Sequence, residues 1–258
     1  MSEGGIVGKL AAGIRSGGVS SAWIGINDLF VAEALAREAF DTVTLDMQHG
    51  GIDFVGAARA IHAVAAAGKP TVVRVNVGDF ATASRLADAG AAAVIAPMIN
   101  SGQDARRFAE FMKFPPLGAR SWGPRSALSL SGLDGPDYLP AANAFTLAIA
   151  MIETPEALDA LDEILDVDGI DGVFVGPSDL SITLSDGARI DPHGEAVNVA
   201  IDRIVAAARL RGKFVCLWCV DGARAKYAWG RGVAFCTISS DLLFLRAAAR
   251  MELAAARG

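Results

Sequence analysis

The sequence has little cysteine, few basic residues and no long apolar run, and each shortage excludes a class of function or structure. It carries 23 basic residues against 29 acidic ones, and no run of lysine and arginine forms the stripe that nucleic acid requires. No uninterrupted apolar stretch reaches the roughly 20 residues that cross a bilayer. We therefore expect neither a nucleic-acid partner nor a membrane span.

The three cysteines, Cys216, Cys219 and Cys236, are an odd number and contain one C-x-x-C pair. That pair lies in the apolar, strand-like run FVCLWCV, whereas a redox pair usually opens a helix. Buried thiols are therefore the favoured interpretation. The N-terminal residues MSEGGIVGKL lack the charged head and apolar stretch of a signal peptide, so the expected compartment is the cytoplasm.

The sequence is rich in apolar residues, which make up 52% of its 258 residues. Short β-branched runs alternate with longer segments of helical period along the whole chain. The predicted strands are Ser21–Ile26, Thr42–Asp46, Thr71–Val75, Ala93–Ala96, Thr146–Ile152, Gly172–Val175, Phe214–Trp218 and Ala234–Ile238. The predicted helices are Asp28–Ala39, Phe54–Ala67, Phe80–Ala89, Gln103–Phe111, Pro155–Ile164, Ala196–Leu210, Gly222–Trp229 and Asp241–Ala256.

Strands that are each followed by a helix, eight times over, predict a single α/β domain over residues 1–258, a (β/α)8 TIM barrel. A doubly wound open sheet is the structural alternative, but its first turn is usually glycine-rich and no such turn follows Ile26. One connection, from Lys113 to Ala144, is long and rich in proline, glycine and serine, which is typical of a functional loop.

Active sites of such barrels lie at the carboxyl ends of the strands, and the sequence places ionisable residues there. Glu153 ends the fifth strand and Asp179 follows the sixth, 26 residues later. Two carboxylates from neighbouring strands suit a hard cation such as Mg2+ or Mn2+. Taken singly, Glu153 is as well explained as an acid near a helix start and Asp179 as a helix cap. Taken together, they favour a metal site.

Two further residues at this rim carry candidate chemistry. Arg74 ends the third strand, where it either pairs with Asp46 or binds a developing oxyanion. His49 follows Asp46 by three residues, so Asp46 orients its ring as a base unless the histidine is structural. The lysines precede strands or lie on helices and in the N-terminal segment, which argues against an imine-forming enzyme.

The motifs LDMQHG, PTVVRV, FPPLGARSWGPRSA, IETPEAL and GIDGVFVGPSDLS resemble the HpcH/HpaI aldolase family, the metal-dependent class II pyruvate aldolases, over nearly the whole chain. The resemblance implies a carbon–carbon lyase that acts on a pyruvate-type 2-oxoacid, pyruvate or hydroxypyruvate, and an aldehyde. It implies Mg2+, Mn2+ or Co2+ chelated by Glu153 and Asp179. Arg74 would then support the enolate oxygen, and His49 with Asp46 would be the acid–base pair.

The resemblance also implies the remaining contacts. Backbone amides of the Gly176, Pro177 and Ser178 segment would hold the substrate carboxylate, with Ser178 the better donor because proline has no N–H. Family members form trimers paired into hexamers, so the helix over residues 241–256 would pack on a neighbour. Asp88 would reach a neighbour's site. The aldehyde side would be built from Trp23, Arg120, Trp122 and Trp218, with a neighbouring subunit as a further candidate contributor.

Two positions depart from the family pattern. Gln48 stands where many members have glutamate, and Met151 stands where many have glutamine. This combination is similar to the hydroxy ketoacid aldolase branch.

Three rival functions remain at this point. A CoA-ester lyase of the citrate-lyase β type shares the fold and the carboxylates, but it needs basic nucleotide contacts that the sequence does not offer. A sugar-phosphate isomerase would have glycine-rich loops after strands 7 and 8, where this sequence reads Cys-Val-Asp-Gly and Ser-Ser-Asp. A binding module would leave the ionisable residues at one rim without a purpose.

Overall fold

A computed structural model describes residues 4–258, and in it eight parallel strands close into one barrel in chain order. The barrel closes where β1 pairs with β8, with Val19 opposite Phe235. This topology confirms the predicted (β/α)8 barrel. The strands are β1 Val19–Ile24, β2 Thr42–Asp46, β3 Thr71–Arg74, β4 Ala93–Ala96, β5 Leu147–Ile152, β6 Gly172–Val175, β7 Phe214–Cys219 and β8 Phe235–Ile238.

Helices surround the strands and continue to the C-terminus. Most of them begin at an Asp, Ser or Thr whose side chain accepts a backbone N–H of the first turn. They are α1 Gly5–Ser16, α2 Leu29–Arg37, α3 Phe54–Ala66, α4 Phe80–Ala89, α5 Gly102–Met112, α6 Arg125–Ser131, α7 Gly135–Phe145, α8 Pro155–Asp159, α9 Leu161–Leu165, α10 Pro177–Thr183, α11 Glu195–Leu210, α12 Gly222–Gly230 and α13 Asp241–Arg257.

The core has two parts, one between the sheet and the helices and one inside the barrel. The inner part includes Phe174 and Phe235 from the strands and continues into α1 and α7 through Leu10 and Tyr138. Because α1 comes just before β1 and packs on α6 and α7, it lies at the amino ends of the strands. The carboxyl ends of the strands are left to form a site.

Several boundaries differ from the sequence prediction. The predicted functional loop from Lys113 to Ala144 instead contains α6 and most of α7. Two of the five prolines in that stretch lie in α7: Pro136 is in its first turn, where proline is well tolerated, and Pro140 is inside the helix. The first helix, α1, was not predicted, because its five glycines and alanines gave too weak a periodic signal.

The first strand ends at Ile24, two residues before the predicted end at Ile26. The reason is local, because the backbone N–H groups of Gly25 and Ile26 donate to the carboxylate of Asp241 instead of to a neighbouring strand. This departure from the ladder moves the following loop toward the start of α13.

All three cysteines are free and buried, as the sequence predicted. Cys216 lies in the inner core, where burial raises the pKa of its thiol. Cys219 and Cys236 lie in the outer core. Over residues 4–258, no helix is both long enough and apolar enough to cross a bilayer.

Candidate active site

A cavity of about 430 Å³ opens among the carboxyl ends of the strands and collects most of the predicted site residues. Its apolar wall comes from Trp23, Met151, Phe174 and Trp218, with Leu242 at the edge. Its polar lining is Asp46, His49, Arg74, Ser178, Asp179, Ser240 and Asp241, together with the backbone of Gly25, Gly50, Gly51 and Gly176.

Arg74 and Asp46 form a buried ion pair at the cavity wall. Arg74 Nε donates to Asp46 Oδ1 at 2.9 Å, and Nη2 donates to Oδ2 at 2.7 Å. The two residues are directly opposite each other in the β2–β3 pairing, so strand register creates this fork. Arg74 Nη1 has no acceptor among residues 4–258, which leaves it available to a ligand.

Trp23 supports this pair from the neighbouring strand. Its indole Nε1 donates to Asp46 Oδ2 at 3.3 Å, and the Arg74 guanidinium carbon lies 4.8 Å from the centre of the indole ring. Asp46 also accepts the backbone N–H groups of Gln48 and His49, at 3.1 and 3.3 Å. Asp46 is therefore the centre of a network that fixes a side chain, an indole and a loop.

His49 lies at the cavity with an exposed side chain. The expected hydrogen bond between the Asp46 carboxylate and the His49 ring is not formed among the described residues. The Asp46 carboxylate instead accepts the His49 main-chain N–H, and no residue in the described chain hydrogen-bonds to the imidazole. The reason is that both Asp46 oxygens already serve Arg74, so Asp46 orders the backbone that carries His49.

Glu153 is buried at the end of β5, with only 2% of its surface exposed. Its Oε1 accepts the backbone N–H of Met98 at 2.9 Å, from the loop after β4. Burial, together with the nearby negative charge of Asp179, raises the pKa of Glu153 from 4.5 to about 7. Met98 reaches this position with a φ of 55°, which is uncommon for a residue other than glycine and is typical of functional loops.

Gly176 makes room for the Glu153 carboxylate. A Cβ at position 176 would lie 2.6 Å from Glu153 Oε2 and 2.7 Å from Met151 Cε, so any side chain there would displace the acid. Among the described residues, Oε2 has no hydrogen-bond donor. An oxygen of a buried carboxylate that has no hydrogen-bond donor among the described residues, and that has room only because residue 176 is glycine, fits the role of a cation ligand.

Asp179 is exposed at the cavity, in the first turn of α10. It is not the cap of that helix, because the N-cap is Gly176. Glu153 is likewise not the cap of α8, since Thr154 takes that position. The two acids therefore have no local capping duty, and their charges act on each other across the β5–β6 rim.

The donor set is small. Within residues 4–258, no group of three or more His, Cys, Asp or Glu side chains is arranged to hold a metal ion. Two carboxylates alone suit a cation that completes its shell with water and substrate oxygens, as Mg2+ does, and do not suit a closed structural zinc site.

The backbone at the start of α10 offers two amide donors. Gly176 N–H already donates to Ile152 O at 3.3 Å, and Pro177 has no N–H. The N–H groups of Ser178 and Asp179 lie in the first helical turn, where no intrahelical acceptor exists. Of the three residues expected to hold the substrate carboxylate, only Ser178 has a free amide, and Asp179 adds a second.

Arg120 and Asp88 do not line the cavity of their own chain. Asp88 is near the C-terminal end of α4, toward the amino ends of the strands, and Arg120 Nη2 donates to its Oδ1 at 2.6 Å. The Arg120 side chain is fully buried over the Phe114 ring. Trp122 packs on Phe114 and Tyr138 and does not line the cavity either.

Comparison with known proteins decides the family. The model of the HpcH/HpaI aldolase/citrate lyase family matches residues 20–246, a span that includes every residue lining the cavity. The chain belongs to the HpcH/HpaI aldolase/citrate lyase family.

Three similar proteins illustrate the family. A hydroxypyruvate/pyruvate aldolase of Rhizorhabdus wittichii is 41% identical over 235 residues, which is 91% of this chain and 92% of that protein. A 4-hydroxy-2-oxo-heptane-1,7-dioate aldolase of Salmonella dublin is 33% identical over 86% of this chain and 84% of its own length. A solved HpcH/HpaI aldolase/citrate lyase family structure from Burkholderia cenocepacia J2315 has a TM-score of 0.86 at 30% identity, over 97% of this chain and 100% of that one.

Of the two departures from the HpcH/HpaI pattern, only one lies at the cavity. Met151 lines it and packs beside Gly176, whereas Gln48 does not line it. Met151 therefore gives the cavity an apolar surface beside Gly176 and Glu153.

Sequence reasoning missed Asp241 and Leu242 as site residues of this HpcH/HpaI chain. The signal was present in Ser-Ser-Asp after β8, where Ser240 caps α13 and an acid follows directly. It was examined only as a possible phosphate loop. Phe174 was missed because inward-facing residues of a strand are not distinguished from outward-facing ones when both are apolar.

Proposed function

We propose that this protein is a metal-dependent aldolase that makes or breaks the carbon–carbon bond between a pyruvate-type 2-oxoacid and an aldehyde. The observation that carries the proposal is the buried Glu153 carboxylate, which faces Asp179 at one rim and has an oxygen without a donor. The names of the R. wittichii and S. dublin relatives support the same reaction class.

Glu153 and Asp179 would hold the divalent cation, with Mg2+, Mn2+ and Co2+ as candidates. When bound, such a cation supplies Lewis-acid stabilisation for negative charge that develops on the ketone oxygen of the substrate. It would also offset the mutual repulsion of the two acids, which otherwise favours a protonated Glu153.

The chain's own groups then divide the remaining work. Arg74, locked by Asp46 and Trp23, directs its unpaired Nη1 donor to the enolate oxygen. The N–H groups of Ser178 and Asp179 bind the substrate carboxylate. His49 exchanges a proton with the hydroxyl of the aldol product, directly or through one water.

The part of the cavity that would receive the aldehyde favours an uncharged aldehyde. Among the described residues that line the cavity, Arg74 is the only lysine or arginine, and it is already paired with Asp46. Trp23, Trp218 and Leu242 give this side an apolar surface. A second carboxylate or a phosphate on the aldehyde would find no cation here, and the same shortage disfavours a CoA-ester lyase.

Assembly completes the proposal. In α13 only Asp241 is buried, and five large apolar side chains are exposed, namely Leu242, Leu243, Leu245, Met251 and Leu253. A 17-residue helix with so little cover is stabilised when it packs on another subunit, so we assign a trimer or hexamer. Asp88, held by Arg120, is the group we assign to a neighbour's site.

Partners and compartment follow from the same features. The substrates are small molecules, and the proposal includes no nucleic acid and no membrane. Three free thiols suit a reducing compartment, so we place the enzyme in the cytoplasm.

The direct test is retro-aldol turnover of 4-hydroxy-2-oxoacids with and without chelation. Activity should disappear with EDTA and return with Mg2+, Mn2+ or Co2+. Borohydride with pyruvate should trap no adduct, because no lysine among the described residues lines the cavity; Lys113 and Lys213 lie at the amino ends of β5 and β7 and bond there to Asp171 and to backbone carbonyls. A covalent pyruvate adduct would replace the proposal with imine chemistry.

A further inference from the structure

Asp241 ties the start of α13 to the loop that follows β1. Its side chain is buried, and its Oδ1 accepts the N–H of the next residue, Leu242, at 2.7 Å. Its Oδ2 accepts the N–H groups of Gly25 at 2.9 Å and Ile26 at 2.8 Å. An acid in a first helical turn ordinarily serves its own helix, but two of these three bonds reach a loop more than 200 residues earlier.

That loop in turn supports the loop after β2. The carbonyl of Gly25 accepts the N–H of Gly51 at 2.8 Å. A Cβ at Gly50 would lie 2.8 Å from Gly25 Cα and 2.3 Å from the Asp46 carbonyl oxygen, so the two loops touch backbone to backbone. Because no side chain lies between the two loops to absorb a movement, a displacement of the Gly25 backbone also displaces the backbone of Gly50 and Gly51.

The supported segment is the one that carries His49. On one side of His49, the Asp46 carboxylate holds the N–H groups of Gln48 and His49. On the other side, the Gly51–Gly25 bond provides the second anchor. The imidazole itself has no hydrogen-bond partner among the described residues, so its position depends on how well its backbone is held.

We propose that Asp241 is a positioning residue for His49, acting through Gly25 and Gly51. It lines the same cavity as His49, but its oxygens already accept three amide hydrogens, so it acts through the loops and does not itself exchange protons with substrate. The kinetic part of this inference rests on the proposed aldolase function, and the structural part does not.

Asp241→Asn is the variant that tests the structural part. A carboxamide has one acceptor oxygen and no charge, so its NH2 group faces either the N–H of Leu242 or those of Gly25 and Ile26. In the first orientation the two loop bonds lose their charge assistance, and in the second both are broken, so the loop is held less tightly either way. Asp221→Asn is the matched control, because Asp221 also follows a strand at the start of a helix, but accepts only the N–H of Arg224, at 2.8 Å within its own turn. Light scattering and thermal unfolding establish that both variants keep the fold and assembly of the parent.

Hydrogen exchange of the backbone amides, followed by mass spectrometry, gives the first readout. In Asp241→Asn the amides of residues 25–26 and 48–51 should exchange at least about 10-fold faster, while the rest of the barrel is unchanged. In Asp221→Asn they should exchange at the parent rate. Unchanged protection of residues 48–51 in Asp241→Asn would overturn the inference, whatever the enzyme's reaction.

A double-mutant comparison gives the second readout. Asp241→Asn should lower retro-aldol kcat/KM by about 10- to 100-fold in the parent, because a displaced catalytic group loses its alignment. In a His49→Ala background the same change should cost less than about 2-fold, since the group it positions is already gone. Equal losses in both backgrounds would overturn the inference. A parent enzyme that neither cleaves aldols nor exchanges pyruvate protons would instead remove the proposed function and leave hydrogen exchange to decide.

Discussion

The guanidinium of Arg74 and the carboxylate of Asp46 form a two-bond fork, 2.9 Å at Nε and 2.7 Å at Nη2, between directly paired residues of neighbouring strands. The fork fixes the guanidinium before any substrate arrives, and Nη1 has no acceptor among residues 4–258. A donor that is oriented in advance stabilises developing charge without reorganisation, which is the condition for a large rate effect.

Replacing Arg74 with lysine should lower both aldol cleavage and exchange of pyruvate methyl protons by about 100-fold. Lysine keeps a positive charge beside the buried Asp46, so the fold should survive, but its point charge cannot reproduce the fork and a free donor together. NMR of pyruvate in D2O measures the exchange. A lysine variant that exchanged protons at the parent rate would assign enolate stabilisation to the metal alone.

Replacing His49 with alanine should damage carbon–carbon cleavage more than proton exchange, by about 100-fold against less than about 10-fold. The reason is that His49 serves the product hydroxyl, whereas exchange needs only the enolate. His62→Ala on α3 is the control, because that side chain is exposed and does not line the cavity. If His49→Ala cleaved normally, the base would have to be sought among bound waters.

The sequence predicted the barrel and the main acids because both depend on local pattern. Glu153 was found because it directly follows a recognisable apolar strand, and Asp179 because it lies in the short segment after the next strand. The sequence left open whether Arg74 pairs with Asp46, and it suggested a contact between Asp46 and the His49 ring; the structure has the first contact and not the second. Register is a property of two strands together, and neither strand reveals it alone.

Asp241 and Arg120 show the opposite limit. Asp241 contacts Gly25, which is 216 residues away, and no local pattern encodes such a contact. Arg120 was placed on the aldehyde side by resemblance to the family, whereas within one chain it is buried against Asp88 and Phe114 and does not line the cavity. Long-range packing therefore decided what the sequence left open.

Glu153→Gln should stabilise the metal-free protein at pH 8 by up to about 3 kcal/mol. Burial, reinforced by Asp179, raises the pKa of Glu153 to about 7, so the folded state holds a proton that the unfolded state releases near pH 4.5. The contribution of Glu153 to stability is thus fully present below pH 4.5 and is lost as the pH rises to about 7. Below that window the variant and the parent should be equally stable.

Denaturant unfolding in EDTA, at pH 4.5 and pH 8, measures this difference, with Glu156→Gln on the exposed face of α8 as the control. Added Mg2+ should stabilise the parent at pH 8 and leave Glu153→Gln unchanged, because the ligand is gone. Equal stabilisation of both proteins by Mg2+ would show that Glu153 does not bind the cation.

The charge of the aldehyde should control its rate. A neutral aldehyde should react at least about 10-fold faster than an acid-terminated aldehyde of the same length, because the cavity has no free cation for the acid. Leu242→Arg should reduce the ratio of the two rates, because it places a positive charge at the edge of the cavity. Val220→Arg adds the same charge near the mouth without lining the cavity, and should leave the ratio unchanged. A parent enzyme that prefers the acid-terminated aldehyde would contradict the neutral-acceptor assignment.

Deuterium incorporation into the methyl group of pyruvate, followed by NMR in D2O, tests the central claim most directly because it requires only enolisation at this site. We predict incorporation with Mg2+ or Mn2+, loss of at least about 100-fold in EDTA, and the same loss in Glu153→Gln with metal present. Incorporation at an unchanged rate after thorough chelation, or in Glu153→Gln, would contradict metal-assisted enolisation held by Glu153 and Asp179.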